Sequence, residues 1–394
     1  MKILSRHIIV FVLICLVSCL EPFEPDVSDQ SESLLVVDGI ITNGFGPYIV
    51  KLTKSSSLKE MNTVVTGANV SIEEMNGPTN LMVEASPGVY ETNTLQGSVG
   101  KSYRLLINYQ GQQYQSSWET ILNSPPIDSV YYQVGTRPTT DKDIDIVGVE
   151  FFVDNHGPEV GTRYFRYEYE ETWRIGVSYP ANFDYLGDDL IQTTTNPLFT
   201  CWKNGNSNSI NIATTTGLVQ NVLSGHSLGF IARDDERYTE RYSMLVKQFA
   251  LEEEEYLFWK SLKESNEELG SLFDKQPANV VSNVTNINNP AEIVLGYFSA
   301  SGFQEVRIYI HHTEVPTALS LRPSCGQLDS LYKAELGTEY ETTIFRRIAN
   351  GSFFFDLIVP DLSPNVIGVM LSPPRCTDCT SKGGDLNKPE FWDE

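Results

Sequence analysis

Basic side chains are scarce in this sequence: 28 Lys and Arg stand against 51 Asp and Glu, a formal charge of −23. An acidic excess of this size repels phosphate backbones and anionic lipid surfaces, which excludes nucleic-acid binding and attachment through a basic patch. Long apolar runs are missing too. The stretch at residues 8–16 falls well short of the roughly twenty residues a spanning helix needs. There is no P-loop, dinucleotide fingerprint or HExxH motif, so phosphate cradling and zincin chemistry have no basis here. Internal repeats are absent, and between residues 34 and 118 no helical period competes with an extended reading.

What is present begins at the N-terminus. Lys2 and Arg6 lead the apolar stretch, and Leu16-Val17-Ser18-Cys19 closes it, placing a cysteine where a lipoprotein signal peptide is cut. No A-x-A-like cleavage site follows. Cleavage between Ser18 and Cys19, with acylation of Cys19, is therefore the expectation, and it makes membrane attachment a matter of lipid. Loss of residues 1–18 removes Lys2 and Arg6 and no acid, leaving 376 residues and a charge of −25. With 41% hydrophobic and 11% aromatic residues, the remainder has material for two cores.

Residues 19–33 are prolyl, acidic and too polar to fold, and read as a tether. Short β-type runs follow at residues 34–42, 48–54, 68–74, 89–92, 102–109 and 114–118, punctuated by Asn43-Gly44, Asn76-Gly77-Pro78 and Pro87-Gly88. A tight hairpin loop falls at Gln110-Gly111-Gln112. The spacing predicts a mainly β chain whose residues 34–122 form an immunoglobulin-like β-sandwich. Asn123-Ser124-Pro125-Pro126 ends it as an extended linker. Residues 127–394 are expected to form a larger β-rich domain, with strands at 129–134, 146–153, 164–175, 210–213, 242–249, 306–310 and 353–359. A helical insertion interrupts it at about 251–273, where Glu252 to Glu255 suit a helix N-terminus and Tyr256, Trp259 and Leu262 recur at helical spacing. A second helical turn is expected at 269–273, and a cysteine-containing tail closes the chain.

Beyond Cys15 and Cys19, four cysteines remain, Cys201, Cys325, Cys376 and Cys379, which in an oxidising compartment are disulfide candidates with three possible connectivities. Cys376-Thr377-Asp378-Cys379 either closes on itself or ties the tail back to Cys201 and Cys325. Gly225-His226-Ser227-Leu228-Gly229 matches the nucleophile-elbow pattern, with Asp274 and His311 or His312 following in hydrolase order. The elbow needs a parallel strand feeding a helix, and no strand–helix alternation is legible, so a glycine-flanked loop is the expectation and no catalytic residue is assigned. Asp141, Asp143 and Asp145 alternate and share a face in an extended chain, a pattern open to calcium, but Ile146 and Phe152 occupy the positions where an EF-hand requires Gly and Glu. His311-His312, in a strand-like run, are expected to point to opposite faces. No metal or other cofactor is assigned.

Several runs together resemble the Bacteroidetes envelope-lipoprotein family that carries domain of unknown function 4249. They are Leu35-Val36-Val37-Asp38-Gly39-Ile40-Ile41-Thr42, Gly67-Ala68-Asn69-Val70, Gly88-Val89-Tyr90, Tyr242-Ser243-Met244-Leu245-Val246-Lys247-Gln248, Gly270-Ser271-Leu272-Phe273, Leu295-Gly296-Tyr297-Phe298-Ser299-Ala300, and the ending through Lys388-Pro389-Glu390-Phe391-Trp392. The acidic residues behind Cys19 also resemble an export signal for the outer face of the outer membrane. The resemblance implies a two-part β-rich lipoprotein encoded near TonB-dependent transporters and transfers no catalytic or ligand residue. The resulting expectation is a non-enzymatic accessory of such a transporter, anchored to the outer membrane and exposed at the cell surface. A second reading is a glycan- or peptide-binding lipoprotein, with Trp173, Tyr179 and Trp202 stacking on the ligand; a third is a serine hydrolase using Ser227.

Overall fold

A computed structural model describes residues 33–393 except 56–62, 93–94, 139–144, 180–182, 188–189, 194–197, 234–235, 268–280, 320–324, 326–327, 351–352 and 359–364. The signal, Cys19, most of the tether, Asp141, Asp143, Asp274 and the turn expected at 269–273 lie outside the described residues.

The chain is mainly β, built of several sheets and a few helices. Leu35–Thr42 sits inside the largest sheet, antiparallel to Ile49–Lys54 on one side and parallel to Leu295–His311 on the other. From Leu295–His311 the sheet continues through Arg241–Leu251 and Tyr164–Gly176 to Thr200–Asn206; from Ile49–Lys54 it continues through Val89–Glu91 to Val83–Ser86. A second sheet runs Val284–Asn286, Gln112–Ser116, Ser102–Tyr109, Asn69–Glu74 and Thr79–Leu81. Val37, Leu52 and Tyr90 of the first sheet and Ile72, Leu105 and Tyr114 of the second share one core. Phe298, Ala300, Val284 and Val294 belong to it as well, so this core draws on both sides of the Asn123–Pro126 segment. The hairpin between Ser102–Tyr109 and Gln112–Ser116 turns on Gln110 and Gly111, both at positive φ, the geometry that matches strand twist in a two-residue loop.

A second core gathers under Tyr164–Gly176 and Arg241–Leu251, where Phe165, Tyr167, Tyr242 and Met244 meet Val149, Phe151 and Val153 of Asp145–His156. That strand is the middle of a three-stranded antiparallel sheet with Ile127–Pro138 and Val222–Ala232. The prolyl segment between the cores is not a free linker. Ser124 and Pro125 are buried, and the buried Gln248 amide donates to Ser124 Oγ (3.0 Å) and to the Pro125 carbonyl (2.7 Å). Asn155 Nδ2 (2.7 Å) and the Tyr167 hydroxyl (3.0 Å) donate to the other end of that amide. A fully used side-chain amide in a dry core fixes the path of the chain, because each lost partner would leave a buried polar group unpaired.

Candidate functional site

Glu253–Glu267 is the helix laid on the outer face of the large sheet. Its phase selects the buried side: Glu255, Phe258, Trp259 and Leu262 recur at i, i+3, i+4 and i+7, while Glu253, Glu254 and Leu257 face out. Glu255 is therefore the fully buried member of the acidic run, at 1% exposure, while Glu252 is half-buried. Its carboxylate accepts from Ser299 Oγ (2.6 Å), Trp259 Nε1 (3.1 Å) and Ser301 Oγ (3.3 Å). Burial pushes its pKa above the ordinary range, against the opposing pull of Arg166, Ser299 and Trp259.

Arg166, on Tyr164–Gly176, is nearly buried with its guanidinium between two aromatic faces, 4.6 Å from the Phe249 ring centre and 4.4 Å from that of Trp259. It also pairs with Glu168. Beside the helix, the buried Glu119 accepts from Asn283 Nδ2 (3.0 Å) and the Tyr297 hydroxyl (3.2 Å). Burial, with Glu119 and Glu255 nearby, drives the Tyr297 phenol upward. Two clefts flank the helix: one of about 440 Å³ beside Arg166, Trp259, Asp38 and Lys51, and one of about 590 Å³ beside Trp118, Glu119, Leu257 and Tyr297. Glu119 and Glu255 are already engaged by the chain's own donors, and through Ser299 and Ser301 the Glu255 carboxylate clasps helix to sheet. Only Trp259, Tyr256 and Leu262 were legible in advance; Glu255 hides in a four-glutamate run, and the sheet residues that meet it lie far away in sequence.

The structure places the other expected residues differently from one another. Ser227 lies within Val222–Ala232, an antiparallel edge strand with shifted register, opposite Phe152, and donates to Glu150 Oε1 (2.6 Å). The expected glycine-flanked loop is thus a strand, and Ser227 does not sit on a strand-to-helix turn. His311 ends its strand and His312 begins a 3₁₀ turn, so their rings come together at 4.2 Å instead of pointing to opposite faces. Asp145 opens the Asp145–His156 strand opposite Pro138. Among the described residues no group of three or more His, Cys, Asp or Glu side chains could hold a metal, and no helix is long and apolar enough to cross a membrane.

Trp173 is buried in the second core beneath the Arg237 guanidinium (4.9 Å). Trp202 pairs across the strands with Arg174, the next residue along, and therefore lies on the opposite face. Tyr179 is half-buried where its backbone amide donates to the Cys376 carbonyl (2.9 Å). These three aromatics do not line one groove. The cysteines pair crosswise, Cys201 with Cys379 and Cys325 with Cys376, each at a Cα separation of 5.7 Å, so the short Cys376–Cys379 spacing does not close on itself.

His226, beside Ser227, lies tilted against Tyr167 (5.4 Å between ring centres) and meets Asn211 Oδ1 through Nε2 (2.6 Å). Burial, helped by the Lys263 charge, lowers its pKa from 6.5 to about 4. A folded value below the unfolded one means the unfolded chain takes up the proton first. This contribution is therefore fully present above about pH 6.5 and is lost as pH falls toward about 4, by up to roughly 3 kcal/mol. In urea titrations of wild type and His226→Gln, the wild type should lose more stability than the variant across that window; parallel pH dependences would show that His226 is not the group responsible.

Together these features define a multi-sheet, mainly β protein in which the buried Glu255 and Arg166 join a helix to a sheet. The chain belongs to the family described as domain of unknown function (DUF4249), whose model matches residues 20–307. The match stops before the tail, on which the resemblance also drew. No curated protein matches the chain.

Proposed function

We propose that this chain is a non-enzymatic accessory lipoprotein of the outer membrane, anchored by lipid on Cys19, displayed at the cell surface, and docked onto a TonB-dependent transporter. The observation that carries this reading is a pair of cross-braced loops with bare apolar tips: Val160 and Val219 are each 94% exposed. Asn221 Nδ2 donates to the Pro158 and Thr162 carbonyls (both 3.0 Å), and Arg163 spans to the Thr215 carbonyl (3.0 Å) and the Leu218 carbonyl (3.3 Å). Apolar groups held rigidly in water cost little further ordering when a partner covers them, which is what a docking surface requires. Phe45, 92% exposed on a loop whose Asn43 accepts from the Phe303 amide (2.6 Å), adds a third tip. The tether suits the same role. It enters at Leu35–Thr42, paired on both sides, so a pull from the membrane meets two hydrogen-bonded neighbours.

The test is purification of the lipidated protein from gently solubilised membranes, wild type beside Val160→Asp/Val219→Asp. A stoichiometric TonB-dependent barrel with the wild type, reduced at least about tenfold with the variant, is expected for a central apolar contact. Equal recovery with both, or a protein that arrives alone in several mild detergents, would end the docking reading. Cys19→Ala should separately move the protein out of the membrane fraction.

A further inference from the structure

In a chain with almost twice as many acids as bases, one sheet face collects guanidinium groups. The strand register puts Trp202, Arg174, Arg241 and His311 side by side across four neighbouring strands. Tyr309 and Arg307 continue this face along Leu295–His311, on the side away from the Tyr242 and Met244 core. The chain's own C-terminus covers it. After the cysteines, Asp385 bridges the edge strand: the Trp202 amide donates to the Asp385 carbonyl (2.8 Å) and the Asp385 amide to the Trp202 carbonyl (2.9 Å). Gly384 permits that approach, since a Cβ there would come within 2.5 Å of Cys201 Cβ.

Beyond the bridge, Trp392 is 2% exposed, edge-on to Trp202 (6.5 Å, 79°) and Tyr309 (6.0 Å, 82°), with the Arg241 guanidinium 5.6 Å from its ring centre. The Phe391 ring lies 3.6 Å from the Arg307 guanidinium, the Tyr309 hydroxyl donates to the Phe391 carbonyl (2.7 Å), and Arg241 donates to the Asp393 carbonyl. A backbone bridge at a sheet edge, an aromatic anchor and cations over ring faces are together the chemistry of peptide recognition.

We propose that this face is a peptide-binding site whose resident ligand is the chain's own tail, and that an extended partner segment carrying an aromatic pair beside carboxylates takes the tail's place. The tail is held beyond both disulfides, so its release leaves cross-links and sheets intact. It is also an imperfect ligand. The indole N–H groups of Trp202 and Trp392 are both buried without an acceptor, a desolvation penalty that a segment supplying an acceptor would avoid. Carboxylates flank the aromatic pair in the tail itself, at Glu390 and Asp393, which matches the cationic face and sets the chemistry of the occupant. The inference stands apart from transporter docking through the loop tips.

The test uses the full chain with Phe391→Ala/Trp392→Ala to free the face, and as probe a labelled synthetic peptide of residues 385–393. A tether of this length holds the tail at an effective concentration on the order of 1 mM, so a docked tail implies a Kd in trans of roughly 100 µM or tighter. Fluorescence anisotropy should show the peptide binding the freed chain in that range, at least about tenfold more weakly to the wild type, and weakly again when the peptide carries alanine for its tryptophan or the freed chain carries Arg241→Ala. A freed chain that is folded and binds no peptide, or a wild type that binds equally well, overturns the proposal. Should the double variant fold poorly, hydrogen exchange on the wild type decides: amides 385–393 opening well before those of Arg241–Leu251 support an exchangeable ligand, and opening in step with them refutes it.

Discussion

Arg166→Ala is expected to destabilise the protein by about 3–5 kcal/mol, because it removes the guanidinium from between Phe249 and Trp259 and leaves Glu255 buried without its counter-charge. Lost packing of the arginine stem against the two rings adds to the electrostatic term. The pH dependence identifies the cause. Burial already raises the Glu255 pKa, so the carboxyl protonates readily, and once neutral it needs no cation. The penalty should therefore shrink as pH falls toward the ordinary carboxylate range, with ΔG of unfolding measured in urea at each pH. A penalty unchanged as pH falls would mean that Arg166 acts through packing alone. The paired substitution Arg166→Met/Glu255→Gln, which removes both charges and leaves Ser299, Ser301 and Trp259 an acceptor, should recover most of the loss.

Cys201→Ser/Cys379→Ser should cost about 2–5 kcal/mol. The two cysteines lie 178 residues apart, and cutting that link releases a long loop in the unfolded chain. The Cys325–Cys376 link spans only 51 residues, so its removal should cost about 1 kcal/mol less by the logarithmic dependence of loop closure on length. Urea midpoints of the two serine pairs, in the absence of reductant, give the order directly. A reversed order would show that local strain or residual structure in the unfolded state outweighs chain entropy. In the Cys201→Ser/Cys379→Ser chain the Asp385 bridge also loses its neighbouring anchor, so Trp392 should become the most solvent-accessible of the tryptophans packed in that cluster, as read by quenching.

Local patterning carried much of the fold. Alternating apolar residues gave Ser102–Tyr109, Tyr164–Gly176 and Arg241–Leu251 nearly to their ends, and Gln110-Gly111 gave the hairpin, because side-chain period and turn chemistry act over a few residues. The long Leu295–His311 strand was legible only at residues 306–310. Ser299 and Ser301 interrupt its apolar pattern, and they are polar because they hold Glu255. Residues 225–229, inside the Val222–Ala232 strand, carry a loop signature because Gly225 and Gly229 flank them, and two register shifts mark the same irregularity in the pairing.

The sequence by itself determined the β-rich character, the acidic surface, the cysteine inventory and the membership of a family, since each rests on composition or on short contiguous runs. Only the tertiary structure decided the rest. The parallel pairing of Leu35–Thr42 with Leu295–His311 joins segments more than 250 residues apart, and no local preference records such a partner. Which of four adjacent glutamates goes inside, which cysteines meet, and which aromatic covers the cationic face all depend on where distant strands place their side chains. The free energy of a buried charge or ring belongs to its surroundings, and those surroundings exist only once the chain has folded.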